Sequence, residues 1–238
     1  MEKPFLFVAL DYKDINDVVE KAQELTRVRR NNFGFKLNLD LFIKSAFDEG
    51  ANWLDSIARL SRPVFADLKM WNGARTMENI VGELSSSPFL LDTRIVNMYP
   101  HAGKKFFGRV AQKLKDTNTQ LFGLTVLTHY TDEDTQRIYG KNLRESIRML
   151  AQMDFKYGAQ GLILPAPALD VVHDIDLPKL CPGIRPSWYQ DRKGNYQEQT
   201  STPKEAIEKG ANYLVVGSPI TKSDNPVEAL ERVLDEMS

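Results

Sequence analysis

Short apolar runs of strand length alternate with amphipathic stretches of helical period along the chain. The apolar runs predict strands over 4–10, 33–38, 63–68, 93–98, 121–127, 160–164, 180–184 and 212–216. Eight strands that alternate with helices predict an α/β fold of the (β/α)8 TIM-barrel type. We expect residues 1–238 to form a single barrel domain. A doubly wound open sheet is the alternative, although it usually carries fewer strands at this length.

The stretches between the predicted strands have the apolar spacing of helices. Near the start of the chain, one helical face carries Ile15, Val18, Val19, Ala22 and Leu25. Near its end, another carries Val227, Leu230, Val233, Leu234 and Met237. Shorter helices are predicted over 103–115, 143–153 and 203–209. The last of these has a typical start, because the hydroxyls of Ser201 and Thr202 precede Pro203.

The run Val-Phe-Ala-Asp-Leu-Lys at residues 64–69 places two opposite charges at a strand end. Side chains two apart on a strand point the same way, so Asp67 and Lys69 should lie side by side. Desolvating such a pair is costly unless the two groups serve each other or a ligand. An ordinary surface ion pair is the alternative interpretation.

In a barrel, the residues that follow the strands share one mouth, where function is located. Asp11 follows the first predicted strand and Lys36 lies in the second. Together with Asp67 and Lys69, they should bring two aspartates and two lysines to this mouth. Such an alternating cluster suggests stabilisation of a developing carbanion, with a lysine as proton donor. Charges scattered by chance over the strand ends are the alternative.

The last strands suggest a phosphate site. Gly217 ends the eighth predicted strand, and loops after strands 7 and 8 of barrels often bind phosphate through backbone N–H groups. Arg185 and Gln197 could donate further hydrogen bonds to the same oxygens. Residues 186–199 form a long polar loop, which we interpret as a phosphate clamp. A plain surface insertion is the alternative.

Composition narrows the function classes. The chain is 42% hydrophobic and 26% charged with a net charge of −1, which does not indicate nucleic-acid binding. The apolar runs are far shorter than the roughly 20 residues that span a bilayer, and the start of the chain does not resemble a signal peptide. The single cysteine, Cys181, suits a reducing compartment, so the cytoplasm is the expected location. The three histidines are not spaced as metal ligands.

Taken together, these positions resemble the orotidine 5′-phosphate decarboxylase suprafamily. Its motif after strand 3 is Asp-x-Lys-x-x-Asp with a threonine four residues later, and this chain has Asp67-Leu-Lys69-Met-Trp-Asn72-Gly-Ala-Arg-Thr76. The resemblance extends over the whole length. It includes Val-Ala-Leu-Asp11, Lys36, Leu-Thr-Val-Leu-Thr128, Cys-Pro-Gly-Ile-Arg185, Gln197, Ser-Thr-Pro203 and Tyr-Leu-Val-Val-Gly217.

The resemblance implies roles at the reacting end of an orotidine 5′-phosphate molecule. Lys69 would protonate C6 of the vinyl carbanion that remains after CO2 leaves. Asp67 would press on the substrate carboxylate and order both lysines. Asp11 and Lys36 would bind the ribose hydroxyls, and Thr128 would bond the pyrimidine.

The resemblance also implies how the phosphate is held and how the chain assembles. Arg185, Gln197 and the Gly217 amide would hold the 5′-phosphate. In the family, the residues matching Asn72 and Thr76 reach the active site of the neighbouring subunit, so a homodimer with composite sites is implied. No metal and no organic cofactor is expected, and neither is a nucleic-acid or membrane partner.

Three departures from the family pattern leave alternatives open. Asn72 replaces the last carboxylate of the motif, Ser218 replaces an arginine that would bind phosphate, and Tyr99 stands where a histidine often closes strand 4. The main reading is decarboxylation of orotidine 5′-phosphate to uridine 5′-phosphate in pyrimidine biosynthesis. One alternative is a magnesium-dependent sugar-phosphate decarboxylase or aldol-type synthase of the same suprafamily. Another is a protein of this fold that binds a nucleotide with weak or no catalysis.

Overall fold

Eight parallel strands close a barrel in sequence order in the computed structural model, which describes residues 4–47, 53–86, 91–190 and 199–238. The strands are β1 (Phe5–Ala9), β2 (Phe33–Asn38), β3 (Val64–Met70), β4 (Thr93–Met98), β5 (Gln120–Leu124), β6 (Gly161–Ile163), β7 (Lys179–Cys181) and β8 (Tyr213–Val216). The predicted (β/α)8 barrel is confirmed, and the open sheet is excluded because β1 pairs with both β2 and β8.

Helices connect the strands and cover the barrel. In the described part of the chain they are α1 (Ile15–Leu25), α2 (Leu39–Phe47), α3 (Trp53–Ala58), α4 (Ala74–Ser86), α5 (Lys104–Leu114), α6 (Asp132–Tyr139), α7 (Leu143–Tyr157), α8 (Pro203–Glu208), α9 (Ser218–Thr221) and α10 (Pro226–Glu236). Two 3-10 turns, Pro100–Ala102 and Ala166–Val172, follow β4 and β6. None of the described helices is both long enough and apolar enough to cross a membrane.

Local sequence signals set several of these boundaries. The predicted helix start at Pro203 is confirmed, and the Thr202 side chain accepts a hydrogen bond from the Glu205 N–H. Two predicted strand ends are wrong by three residues. β5 ends at Leu124 rather than at residue 127, because its neighbour β6 ends at Ile163 and offers nothing further to pair with. β7 ends at Cys181 rather than at residue 184, since the next residue is a proline without an N–H.

Aromatic side chains fill the lower part of the barrel interior. The rings of Phe7 and Phe65 lie 5.9 Å apart, and those of Phe122 and Tyr213 lie 5.7 Å apart. A larger apolar layer packs between the outer face of the strands and the helices. Because rings occupy the bottom of the barrel and the smaller Ala9 follows Phe7 toward the mouth, open space is left at the carboxyl ends of the strands.

Candidate active site

A cavity of about 340 Å³ opens at the carboxyl ends of the strands. Its two halves differ in chemistry. The first four strands and the residues just beyond them supply two carboxylates, two ammonium groups and one amide, from Asp11, Lys36, Asp67, Lys69 and Asn97. The second four strands and their loops supply most of the apolar wall, which includes Leu124, Val126, Leu127, Ile163, Leu180 and Val215. A ligand in this cavity would therefore meet the acidic and basic cluster on one side and, on the other, a mostly apolar wall that also carries Thr128, Arg185 and Ser218.

The four charged residues alternate in sign along the polar half. The Lys36 ammonium lies 3.0 Å from Asp11 Oδ1 and 3.4 Å from Asp67 Oδ2, and the Lys69 ammonium lies 2.7 Å from the same Asp67 oxygen. Asn38 contacts Lys36 Nζ at 2.5 Å and donates to Asp11 Oδ1 at 2.7 Å. The prediction that two lysines and two aspartates meet at one mouth is confirmed.

Asp67 is the most buried carboxylate of this cluster, with a side-chain exposure of 10%. Burial by itself raises the pKa of its carboxyl. The ammonium groups of Lys36 and Lys69, with hydrogen bonds from Lys69 and Asn97, more than offset that effect and hold the pKa below its usual value. Asp67 therefore stays ionised and keeps both lysine side chains oriented.

Asp67 and Lys69 are neighbours as predicted, but the backbone between them is not a regular strand. β3 pairs with β4 at Ala66 and again at Met70, whereas the matching β4 residues are Val96 and Met98, so two extra residues bulge from β3. Lys69 has a φ of 47°, in the left-handed region. Bulges beside active sites typically re-aim side chains, and this one directs Lys69 over the cavity.

The other end of the cavity lies at the carboxyl ends of β7 and β8. Thr128, Arg185, Gly217 and Ser218 line it, as the sequence predicted. The Arg185 N–H donates to the Ser201 carbonyl at 2.9 Å, which ties the segment after β7 to the segment before α8. Gly217 packs closely on β1, because a Cβ added there would lie 3.4 Å from the Ala9 Cβ.

Among the described residues, two predicted site residues, Asn72 and Thr76, do not line this cavity. Asn72 and Thr76 are exposed on the segment after β3 and on the first turn of α4. The neighbouring Trp71 is 65% exposed. Gln197 lies outside the described residues, as does most of the polar loop 186–199.

Sequence reasoning missed Asn97, Asn38 and the apolar wall. Asn97 alternates with Ile95 in β4, so a polar residue at an inward position was the available signal. The same alternation in β5 and β8 would have identified Leu124 and Val215. Within the described ranges, no three His, Cys, Asp or Glu side chains come together as metal ligands would.

The sequence matches one protein family over nearly its whole length. Residues 4–233 match the family model described as Orotidine 5'-phosphate decarboxylase / HUMPS family. The orotidine 5'-phosphate decarboxylase of Wolbachia sp. subsp. Brugia malayi (strain TRS) is 30% identical over 238 residues, covering 98% of this chain and 99% of the relative. That of Carboxydothermus hydrogenoformans is 30% identical over 243 residues, covering 98% and 95%.

Solved structures with the same barrel include two with matching names. The orotidine 5'-phosphate decarboxylase from Lactobacillus acidophilus has a TM-score of 0.76 at 24% identity and covers 100% of both chains. The enzyme from Methanocaldococcus jannaschii, complexed with the inhibitor BMP, has a TM-score of 0.73 at 19% identity, also with 100% coverage of both chains. These structures support the barrel fold of this chain.

Proposed function

The chain belongs to the orotidine 5'-phosphate decarboxylase / HUMPS family, and we propose that it is a carboxy-lyase that converts orotidine 5′-phosphate to uridine 5′-phosphate in pyrimidine biosynthesis. The observation that carries the proposal is the alternating Asp11–Lys36–Asp67–Lys69 cluster at the cavity. A cationic group held beside a buried carboxylate suits a reaction in which negative charge develops on carbon.

In the proposed reaction, the bond between C6 of the pyrimidine and its carboxylate breaks and CO2 leaves. The electron pair of that bond stays on C6 as a vinyl carbanion. The Lys69 ammonium stabilises this charge and then donates a proton to C6, after which solvent returns a proton to the amine. Asp67 repels the substrate carboxylate in the ground state and holds Lys69 in place through their 2.7 Å contact. That repulsion is relieved as CO2 departs.

The rest of the cavity would hold the non-reacting parts of the nucleotide. Asp11 and Lys36, joined at 3.0 Å, offer an acceptor and a donor to the ribose hydroxyls. Leu124 and Ile163 offer an apolar surface to a planar pyrimidine, and Thr128, which also lines the cavity, would hydrogen-bond to its polar edge. This division follows the separation of polar and apolar walls in the cavity.

The 5′-phosphate would lie at the carboxyl ends of β7 and β8. Arg185 and Gly217 line that end of the cavity, and the family resemblance adds Gln197 from the loop outside the described residues. Ser218 supplies a hydroxyl where the family pattern has an arginine. A charge-assisted hydrogen bond contributes about 1.5–3 kcal/mol, so we expect weaker phosphate binding than in a family member with the arginine.

We also propose a homodimer with composite sites. Asn72 and Thr76 are exposed and do not reach the cavity of their own chain, whereas the family resemblance assigns them to the site of a partner. Trp71, beside them, is 65% exposed. A large exposed aromatic side chain next to residues with such an assignment supports burial of this segment in a subunit interface.

We also propose the domain organisation and the cellular location of the protein. We propose that residues 1–238 form one domain, because the strand closest to the start of the chain pairs with the last strand. We propose a cytoplasmic location from cysteine usage, since the chain has one cysteine and Cys181 is free and buried.

A direct assay tests the proposed function. Purified protein is mixed with orotidine 5′-phosphate, and the loss of its ultraviolet absorbance is followed with and without a metal chelator. We expect turnover that the chelator does not change, with formation of uridine 5′-phosphate and CO2. Tight binding of uridine 5′-phosphate without turnover would favour the nucleotide-binding alternative. Magnesium-dependent conversion of a sugar phosphate without loss of orotidylate would favour the other branch of the suprafamily.

A further inference from the structure

Asn97 is a buried side-chain amide in the polar half of the cavity, and both its oxygen and its nitrogen make hydrogen bonds. Its Nδ2 donates to Asp67 Oδ1 at 2.7 Å, and its Oδ1 accepts from the Lys69 backbone N–H at 2.7 Å. The residue is 1% exposed. One side chain on β4 therefore contacts two residues of the proposed catalytic motif on β3.

The hydrogen bond from the Lys69 N–H to Asn97 replaces a strand-to-strand hydrogen bond at the bulge in β3. The regular register with β4 is interrupted between Ala66 and Met70. The Asn97 carbonyl takes the place of a strand carbonyl for the Lys69 N–H. Lys69 adopts a φ of 47°, which non-glycine residues rarely adopt unless their surroundings impose it. Asn97 is thus part of what holds the lysine backbone in this conformation.

Because of the contact with Asn97, the two oxygens of the Asp67 carboxylate have different partners. Oδ1 faces Asn97, whereas Oδ2 faces the ammonium groups of Lys36 and Lys69. A carboxylate anchored through one oxygen presents the other in a defined direction. Without the amide, the Asp67 side chain could rotate about χ2, and the distance between Oδ2 and the Lys69 ammonium would no longer be defined.

We propose that Asn97 is a positioning residue that holds both the Asp67 carboxylate and the Lys69 backbone in the geometry required for proton transfer to substrate carbon. This inference rests on the proposed decarboxylase function. It gives a residue of β4 a role in the site, which could not be predicted from the spacing or the charges of the β3 motif.

The test compares two variants of Asn97 with a matched control. Asn97→Leu removes both hydrogen bonds at similar volume. Asn97→Asp keeps an acceptor for the Lys69 N–H but replaces the donor with a second carboxylate. Thr119→Val is the control, because Thr119 is 3% exposed and donates to the Thr93 carbonyl at the opposite end of β4, at 2.7 Å. It therefore reports the cost of losing a buried hydrogen bond to β4 away from the cavity.

We expect Asn97→Leu to lower kcat for orotidine 5′-phosphate by about 100-fold, the size of effect that a displacement of about 1 Å produces, with KM changed by only a few-fold. We expect Thr119→Val to lower the melting temperature through the loss of its buried hydrogen bond but to leave kcat within twofold of the parent. Equal kcat for Asn97→Leu and Thr119→Val would overturn the inference.

The pH profile gives a readout that a purely structural role would not change. The ionisable groups around Asp67 are Lys36 from β2, Lys69 from β3, Asp11 after β1 and the Tyr99 phenol after β4. Because Asn97 donates to the ionised form of Asp67, its loss in Asn97→Leu should move the acid limb of kcat/KM to higher pH. Asn97→Asp should gain activity as the pH falls, since a protonated carboxyl at this position again offers a donor. Unchanged acid limbs in both variants would contradict the assignment.

A titration of Asp67 without substrate separates the role of Asn97 from the proposed decarboxylase function. If the parent protein does not turn over orotidine 5′-phosphate, the proposed function fails. Carbon-13 NMR of labelled aspartate then measures the Asp67 pKa in the parent, in Asn97→Leu and in Thr119→Val without any substrate. A higher Asp67 pKa in Asn97→Leu alone would support positioning by Asn97, and equal values in all three proteins would refute it.

Discussion

Asp154 provides a sharp test of the physical reasoning applied to this barrel. It lies on α7, is 0% exposed, and neither of its carboxyl oxygens has a hydrogen-bond partner among the described residues. It occupies space beside Gly123 of β5, where an added Cβ would lie 2.0 Å from the Asp154 Cγ. Burial without a compensating donor or cation raises the pKa of this carboxyl well above 3.8.

The sign of the resulting pH dependence follows from linkage. The folded protein keeps the proton on Asp154 at pH values where the unfolded chain releases it. Its contribution to stability is therefore fully present below the unfolded pKa of 3.8 and is lost as the pH rises toward the folded-state pKa. In that window the loss is about 1.4 kcal/mol per pH unit. For a domain of this size, that corresponds to a fall in melting temperature of about 3–6 °C per pH unit.

The measurement is the free energy of unfolding by denaturant for the parent and Asp154→Asn from pH 4 to 7. Asparagine is close in shape and cannot ionise, so its difference from the parent should change with pH at the slope given above. Asp174→Asn is the control, because the Arg148 hydrogen bond lowers the pKa of Asp174 to about 2. Its contribution is lost only on acidification, so its difference from the parent should be flat over most of this range. A flat difference for Asp154→Asn as well would show that Asp154 is ionised in the fold and would refute the reasoning.

Three further predictions concern the proposed activity. Lys69→Ala should remove nearly all decarboxylation, measured by loss of orotidylate absorbance. A general acid contributes about 10²–10⁴-fold to the rate, and the positive charge of the lysine adds to this. Turnover within a few-fold of the parent would mean that the proton donor is misassigned. Mixing Lys69→Ala chains with Thr76→Ala chains should restore activity, because each hybrid dimer contains one intact composite site; a fully active monomer would contradict this. Ser218→Arg should tighten binding of uridine 5′-phosphate about tenfold or more in calorimetric titration, at about 1.4 kcal/mol per tenfold. Unchanged or weaker binding would argue against a phosphate site that is merely weakened.

Much of the fold could be predicted from the chain alone, because it depends on local periodicity. The strand-length apolar runs and the 3.6-residue period between them identified all eight strands, and the order of strands and helices then implied a barrel. The barrel rule in turn placed Asp11, Lys36 and Asp67 at one mouth. Strand ends were less predictable, since β5 stops where its neighbour β6 runs out of residues to pair with.

The tertiary structure alone decided which distant side chains complete the site. Period-two reasoning paired Asp67 with Lys69, but the pair actually depends on a bulge that Asn97 supports from another strand. The burial of Asp154 likewise depends on a glycine in β5, which makes room for it. Local sequence determines backbone period and the face that a side chain occupies. Contacts between strands depend on register and on the packing of the closed barrel, and these quantities involve residues about 30 positions apart or more.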